Sequence, residues 1–120
     1  KHLKRYRCFL YMGTYPASYT LAFIEAWMTG IPIIAIGNKI MNDKFPDQQL
    51  YEVPSLIQNG KNGFCVDNIS ELKKIIKMLI DNKELAKSIS KEGRKSAIKI
   101  FGEQNARKNW LSSLYNIMEN

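Results

Sequence analysis

The sequence predicts an α/β fold in which a parallel sheet of about three strands is closed by helices. Residues 8–12 (CFLYM), 31–36 (IPIIAI) and 63–66 (GFCV) are short, mostly apolar runs, typical of parallel strands buried on both faces. The segment between the first two runs is long enough for a crossover helix. After residue 66, apolar residues recur with a helical period, which indicates closing helices.

The first unit along the chain is strand, helix, strand. Residues 21–28 (LAFIEAWM) are apolar except for Glu25, which predicts a helix that is buried on all sides. Ser18 or Thr20 suits the N-cap of this helix. Gly30 suits its C-cap, and Pro32 follows as a stop signal. Such a unit is almost always a crossover between parallel strands.

The loop of residues 13–19 (GTYPASY) follows the first strand, at the edge where parallel sheets bind ligands. Unpaired N–H groups and the helix dipole make the start of the helix a natural anion site. Glu25 lies one to two turns further on, and a buried carboxylate needs a partner. The helix alone supports two interpretations of Glu25 about equally: a structural pair with an amide or a basic side chain, and contact with a polar ligand. An anion followed by a hydroxyl-bearing group suggests a nucleotide.

The remaining elements alternate loops and helices. Residues 38–52 have no clean period and predict a surface loop, and turn signals at 59–60 and 62–63 precede the third strand. Ser70 suits the cap of a helix to about Asp81, a second helix follows Asn82, and a last one runs from about Glu103 to Met118. The residues expected to pack inward are Leu72, Ile75, Ile76, Leu79 and Ile80, then Leu85, Ile89 and Ile98, then Ala106, Trp110, Leu114 and Ile117 or Met118.

The net charge of +7 favours an anionic partner without identifying it. Lysines recur every four residues from Lys83 to Lys99, but Glu84 and Glu92 interrupt the row, so a solvated face is the favoured interpretation. Nucleic acid is therefore not expected as a partner, whereas a peripheral membrane contact stays a candidate. The two cysteines lie in apolar runs and predict buried thiols in a reducing cytoplasm. The single histidine, His2, and the absence of zinc-type spacing disfavour histidine and metal chemistry.

Residues 18–35 (SYTLAFIEAWMTGIPIIA), followed by 53–66 (VPSLIQNGKNGFCV), resemble the C-terminal domain of retaining GT-B glycosyltransferases, the glycosyl transferases group 1 family. Glu25, Ala26, Gly30 and Pro32 match the family motif, whereas Ala17 stands where the family has its first glutamate. The resemblance implies a partial Rossmann-like fold, the second half of such a domain. Residues 1–120 would then be one domain from a longer protein, or a gene product reduced to this portion.

The resemblance also implies site residues and an activity. Glu25 would bind the nucleotide ribose, and the family's contacts to the diphosphate and donor sugar fall on Ser18, Tyr19, Thr20 and Leu21. The implied activity transfers a sugar from a nucleotide-diphosphate donor to an unknown acceptor, with retention and with neither a metal nor a cofactor. A missing N-terminal domain or a partner chain would complete it, so the isolated chain is not expected to be active. A non-catalytic nucleotide-binding or docking module, favoured by Ala17, is the alternative.

Overall fold

The computed structural model describes residues 6–47 and 50–119. His2 and residues 48–49 of the predicted loop lie outside this range. Within it the chain forms three strands and six helices. The strands are β1 (Phe9–Tyr11), β2 (Ile33–Ile36) and β3 (Phe64–Val66), and the helices are α1 (Leu21–Thr29), α2 (Asn38–Lys44), α3 (Val53–Leu56), α4 (Ile69–Asp81), α5 (Lys83–Phe101) and α6 (Glu103–Glu119).

The sheet confirms the predicted α/β architecture. Its order is β1-β2-β3 and both pairings are parallel, with Phe9 opposite Ile33 and Ile34 opposite Phe64. All four residues of β2 are buried, because this central strand has helices on both faces. One apolar cluster joins the sheet to α1, α2 and α3, and a second joins it to α4 and the first half of α5.

Helix α1 begins and ends where the sequence predicts, but it is not buried on all sides. Thr20 is the N-cap, and Gly30 is the C-cap in the left-handed conformation, with φ of 82°. The inner side packs on the sheet and on α5, whereas Leu21 is 76% exposed and Glu25 is exposed. The prediction of all-round burial is therefore wrong. Apolar composition shows what a helix can bury, but not which of its sides other elements cover.

The interpretation of residues 38–52 as a plain surface loop is also wrong, since the segment contains α2 and packs against the sheet. Met41 is the buried anchor of this two-turn helix, with 1% of its surface exposed. Tyr51 is buried as well, and its hydroxyl donates a hydrogen bond of 2.7 Å to the carbonyl oxygen of Ile36. One anchor in seven residues is too few to produce a readable helical period.

The closing helices α4, α5 and α6 lie where the sequence predicts them, but the residues that they bury differ from the prediction. The cap of α4 is Asn68 rather than Ser70, and the side-chain amide oxygen of Asn68 accepts from the N–H of Glu71. Ile80 and Ile98 are exposed instead of packed. The predicted inner face of α6 is wrong in full, because none of its described residues is buried. The residues predicted to pack inward are all exposed, namely Ala106, Trp110, Leu114, Ile117 and Met118. None of the helices in the described ranges is long and apolar enough to cross a bilayer.

Candidate functional site

The loop between β1 and α1 lies at the carboxyl edge of the sheet and is held at both ends. Gly13, with φ of 83°, turns the chain away from β1. The Tyr15 ring stacks on Phe45 at a centroid distance of 4.5 Å, and the Tyr19 ring meets Phe101 edge-on at 5.1 Å. These contacts fix the loop against the segment after α2 on one side and against the end of α5 on the other.

The start of α1 presents N–H groups that the cap does not use. The Thr20 hydroxyl accepts from the N–H of Phe23 at 3.3 Å, and the Thr20 carbonyl accepts from Phe23 and Ile24. The N–H groups of Leu21 and Ala22 precede the first intrahelical donors, so helix geometry gives them no partner within α1. The first turn also contains no acidic residue. An anion placed here would meet unpaired donors and the positive end of the dipole.

The neighbouring helix starts at the same edge differ from α1 in this respect. At α2, the carboxylate of Asp67 accepts from the N–H of Lys39 at 3.0 Å. At α4, Glu71 lies in the first turn, and its carboxylate accepts from the N–H of Asp67 at 3.4 Å. Both helices thus have a carboxylate of the chain at their positive ends. Of the three starts, only α1 is open to an external anion.

Glu25 lies on the same exposed face as Leu21 and Ala22, one turn further along α1. Four residues of helix separate Glu25 from Leu21 by about 6 Å along the axis. No hydrogen bond or ion pair engages the Glu25 carboxylate within residues 6–47 and 50–119. The expectation of a buried carboxylate is therefore wrong, and its interpretation as one half of a structural pair finds no partner in that part of the chain. The carboxylate is available to a ligand.

The structure thus brings together all five residues selected from the sequence. Ser18, Tyr19 and Thr20 are half-buried in the loop, and Leu21 and Glu25 are exposed on the first turns of α1. The Tyr19 side chain is committed to packing, which leaves its backbone as the group that can contact a ligand. The Thr20 hydroxyl accepts the capping bond and can still donate its own hydrogen outward.

Sequence reasoning missed Glu52 as a member of this group. The N–H of Glu52 donates to the carbonyl oxygen of Ser18 at 3.3 Å, which brings an exposed glutamate against the loop next to Ala17. No short-range signal indicates this contact, because 34 residues separate Ser18 from Glu52. The backbone of Glu52 thus lies against the loop that contains Ala17, and its side chain is exposed.

The other reactive groups offer no competing chemistry. Cys8 and Cys65 are half-buried free thiols. Burial raises the pKa of Cys8, and burial together with the Asp67 carboxylate raises the pKa of Cys65 to about 12. Both thiols are therefore protonated, and poorly nucleophilic, at neutral pH. Within the described ranges, no three His, Cys, Asp or Glu side chains are grouped as metal ligands would be.

A separate cleft of about 570 Å³ lies at the opposite, amino edge of the sheet. It is formed by the residues before β1 and β2, the end of α1 and the first turns of α5. Its lining residues are Tyr6, Arg7, Thr29, Gly30, Ile31, Pro32, Lys83, Ala86, Lys87 and Ser90. Open α/β sheets bind their ligands at the carboxyl edge, so this cleft is distinct from the candidate site.

No protein-family model matches the chain, and no curated protein matches its sequence. Among solved structures, the chain is similar to the crystal structure of Anabaena HepE (Alr3699) in complex with UDP-glucose. The TM-score is 0.64 and the sequence identity is 21%, over 92% of this chain and 29% of the HepE chain. At this identity the similarity shows a shared fold. The chain spans less than a third of the HepE chain.

Proposed function

We propose that this chain is the donor-nucleotide-binding part of a retaining GT-B glycosyltransferase, namely the second half of its C-terminal domain. The observation that supports this most is the open start of α1, with an unpaired, exposed Glu25 one turn along the same face. The shared fold with HepE adds support, because the HepE structure contains UDP-glucose. A uridine-diphosphate sugar is accordingly the donor that we propose to test first.

Each site residue has a physical role in this proposal. The backbone N–H groups from Ser18 to Leu21 bind the diphosphate and stabilise the negative charge that develops as it leaves. The dipole of α1 acts in the same direction, so the proposed site needs no metal. The Glu25 carboxylate accepts hydrogen bonds from the ribose hydroxyls. Glu52, held beside the loop by its bond to Ser18, contacts the donor sugar in place of the carboxylate that Ala17 lacks.

Transfer of the sugar needs an acceptor site that this chain does not provide in our proposal. The chain corresponds to 29% of the HepE chain, so we propose that an N-terminal domain or a partner chain supplies the acceptor side. The isolated chain would then bind nucleotide without transferring sugar. Ala17 keeps a second candidate, a non-catalytic nucleotide-binding module, which differs from the first in showing no transfer even with the acceptor side present.

Calorimetric titration with UDP and GDP tests the proposed nucleotide site. Glu25→Gln keeps the shape of the side chain and removes its charge, at a cost of about 1.5–3 kcal/mol for a charged hydrogen bond. Nucleotide affinity should fall by roughly ten- to a hundredfold. Because Glu25 is exposed and unpaired in the described part of the chain, the melting temperature should stay the same.

Glu84→Gln is the matched control, since Glu84 is an exposed glutamate that pairs with Lys87 at the amino edge of the sheet. It should leave nucleotide affinity unchanged. Equal affinities for wild type and Glu25→Gln, or no binding of UDP and GDP by the wild-type chain, would contradict the proposed function. Glu52→Gln separates the two glutamates: it should weaken UDP-glucose and leave UDP unaffected.

A further inference from the structure

The cleft at the amino edge of the sheet has no role in the proposed function. Its walls come from the segment before β1, the segment before β2, the last turn of α1 and the first turns of α5. The N–H of Phe9 donates to the carbonyl oxygen of Pro32 at 2.8 Å, which holds the residues before β1 against the start of β2. The volume of about 570 Å³ lies within the range of small-molecule sites. Elements of this chain thus form a concavity large enough for a small ligand.

The described lining of this cleft is cationic. It contains Arg7, Lys83 and Lys87, and no acidic residue. Lys83 and Lys87 are four residues apart on α5, so they share a face of the helix. Lys87 pairs with Glu84 at 2.9 Å, whereas no hydrogen bond or ion pair engages Arg7 or Lys83 in the part of the chain that the structure describes. Two positive charges at this cleft are therefore without a partner there.

The negative end of α1 does not account for these cations, although it lies beside the cleft. The carbonyl oxygens of the last turn accept from the Thr29 hydroxyl, the Gly30 N–H and the Arg94 guanidinium. Those donors satisfy the end of the helix without the three cations that line the cleft. The charge of the cleft is thus complementary to an external anion.

The inner surface of the cleft adds apolar area and one hydroxyl group. Ile31, Pro32 and Ala86 are buried residues that line it, and Ser90 is half-buried. No hydrogen bond engages the Ser90 hydroxyl within the described ranges, so this group can donate to a ligand. The side chain of Tyr6 also lines the cleft and is 66% exposed, which leaves its ring free to stack. An occupant that uses the whole cleft combines an anionic group with an apolar ring.

We propose that this cleft binds a small phosphate monoester with an aromatic body. The phosphate group of such an ester carries close to two negative charges above pH 7, which match the unpaired charges of Arg7 and Lys83. The guanidinium of Arg7 offers a planar fork to two phosphate oxygens, and Lys83 supplies a point charge. Lys87 contributes less, because Glu84 shares its charge. The aromatic body lies on the apolar floor beside the ring of Tyr6.

Titration of the nitrogen-15-labelled chain with phenyl phosphate, followed by two-dimensional NMR, tests this proposal. Phenyl phosphate contains both parts of the ligand, whereas inorganic phosphate and phenol contain one part each. We expect saturable shifts of the amides of Gly30, Ala86 and Ser90, and smaller shifts at Leu21 and Ala22. Inorganic phosphate and phenol should each bind about tenfold more weakly than phenyl phosphate, because each lacks either the apolar or the charged contact.

Two matched variants on α5 separate the cleft from the general charge of the chain. Lys83→Gln and Lys95→Gln remove the same charge, but Lys95 does not line the cleft and lies about 18 Å further along the helix. Lys83→Gln should weaken phenyl phosphate on the order of tenfold. Lys95→Gln should weaken it by about twofold or less, because charges beyond about 10 Å are screened at 0.1 M salt.

Glu84→Gln provides a variant with the opposite expected effect. Without its partner carboxylate, Lys87 is free to bind the phosphate, so affinity for phenyl phosphate should rise a few-fold. The side chains at positions 83, 84 and 95 are all exposed, so the melting temperatures of these variants should match wild type.

UDP titration of the same variants keeps this proposal distinct from the proposed function. Glu25→Gln should leave the affinity for phenyl phosphate unchanged, and Lys83→Gln should leave the affinity for UDP unchanged, because the two sites lie at opposite edges of the sheet. Either proposal can therefore fail while the other stands.

Four results would overturn the proposal. The first is the absence of saturable shifts at Gly30, Ala86 and Ser90. The second is an equal loss of affinity in Lys83→Gln and Lys95→Gln, which would assign binding to general charge. The third is equal affinity for inorganic phosphate and phenyl phosphate, which would exclude the aromatic contact. The fourth is that the largest shifts occur at Leu21 and Ala22, which would place the phosphate at the start of α1.

Discussion

Ala22→Glu should stabilise the fold and weaken nucleotide binding at the same time. Ala22 is exposed in the first turn of α1, where no acidic side chain is present. A carboxylate at the positive end of a helix is worth about 0.3–1 kcal/mol. Ala22→Gln has nearly the same shape and helix propensity without the charge, so the comparison of Glu with Gln gives the net electrostatic effect, from which repulsion by Glu25 at i+3 subtracts about 0.2–0.5 kcal/mol.

The effect on ligand binding has the opposite sign. If the diphosphate occupies the start of α1, the new carboxylate lies within about 6–8 Å of two negative charges. At an intermediate effective dielectric constant this repulsion costs about 1–3 kcal/mol, which is roughly ten- to a hundredfold in affinity. High salt should reduce the difference between the two variants.

Denaturant unfolding and calorimetric titration with UDP measure the two effects on the same samples. We expect Ala22→Glu to exceed Ala22→Gln in stability and to fall below it in affinity. The reasoning is refuted if the two variants bind UDP equally, because the diphosphate then lies elsewhere. An open positive end at the start of α1 is equally refuted if Ala22→Glu is less stable than Ala22→Gln by more than the repulsion from Glu25, about 0.2–0.5 kcal/mol, accounts for.

Two further predictions concern the core. Gly93→Ala should lower the free energy of unfolding by about 1–3 kcal/mol, although alanine has a better helix propensity than glycine, because a Cβ there would lie 3.0 Å from Nε1 of buried Trp27. Denaturant unfolding measures this change, with the exposed Ser88→Ala as the control. A gain in stability for Gly93→Ala would contradict the prediction. The raised pKa of Cys65 means that the unfolded thiol ionises first, so stability should fall as the pH rises from 9 towards about 12. Cys65→Ala should show a flatter decline in denaturant midpoint, and parallel declines would exclude this origin.

The sheet and the ends of α1 could be predicted because their signals are local. Three apolar runs, the Thr20 cap and the Gly30 stop each fall within a few residues, and each is confirmed. The burial of α1 and α6 could not be predicted in the same way. Periodicity identifies residues that share a face, but whether that face is covered depends on elements distant in sequence.

The candidate site also has a part that local signals predict and a part that depends on contacts between distant residues. The loop and the start of α1 follow from the strand-helix pattern, which is why Ser18 to Leu21 and Glu25 lie together. Asp67 lies at the carboxyl edge because it directly follows β3, but its bond to Lys39, like the bond between Glu52 and Ser18, joins residues 28 and 34 positions apart, respectively. No motif encodes such contacts, and the bond of Asp67 occupies the start of α2 while the start of α1 stays open.

The two ends of α1 differ in a way that supports the proposed anion site at the carboxyl edge, although cations line the cleft at the amino edge. At its last turn, the carbonyl oxygens of Ala26, Trp27 and Met28 accept from the Thr29 hydroxyl, the Gly30 N–H and the Arg94 guanidinium. The negative end is thus satisfied within the chain. At the first turn the chain leaves donors unpaired and provides no carboxylate, whereas α4, α5 and α6 each carry a glutamate there. Leaving that stabilisation of about 0.3–1 kcal/mol unused is understandable if a ligand supplies the negative charge.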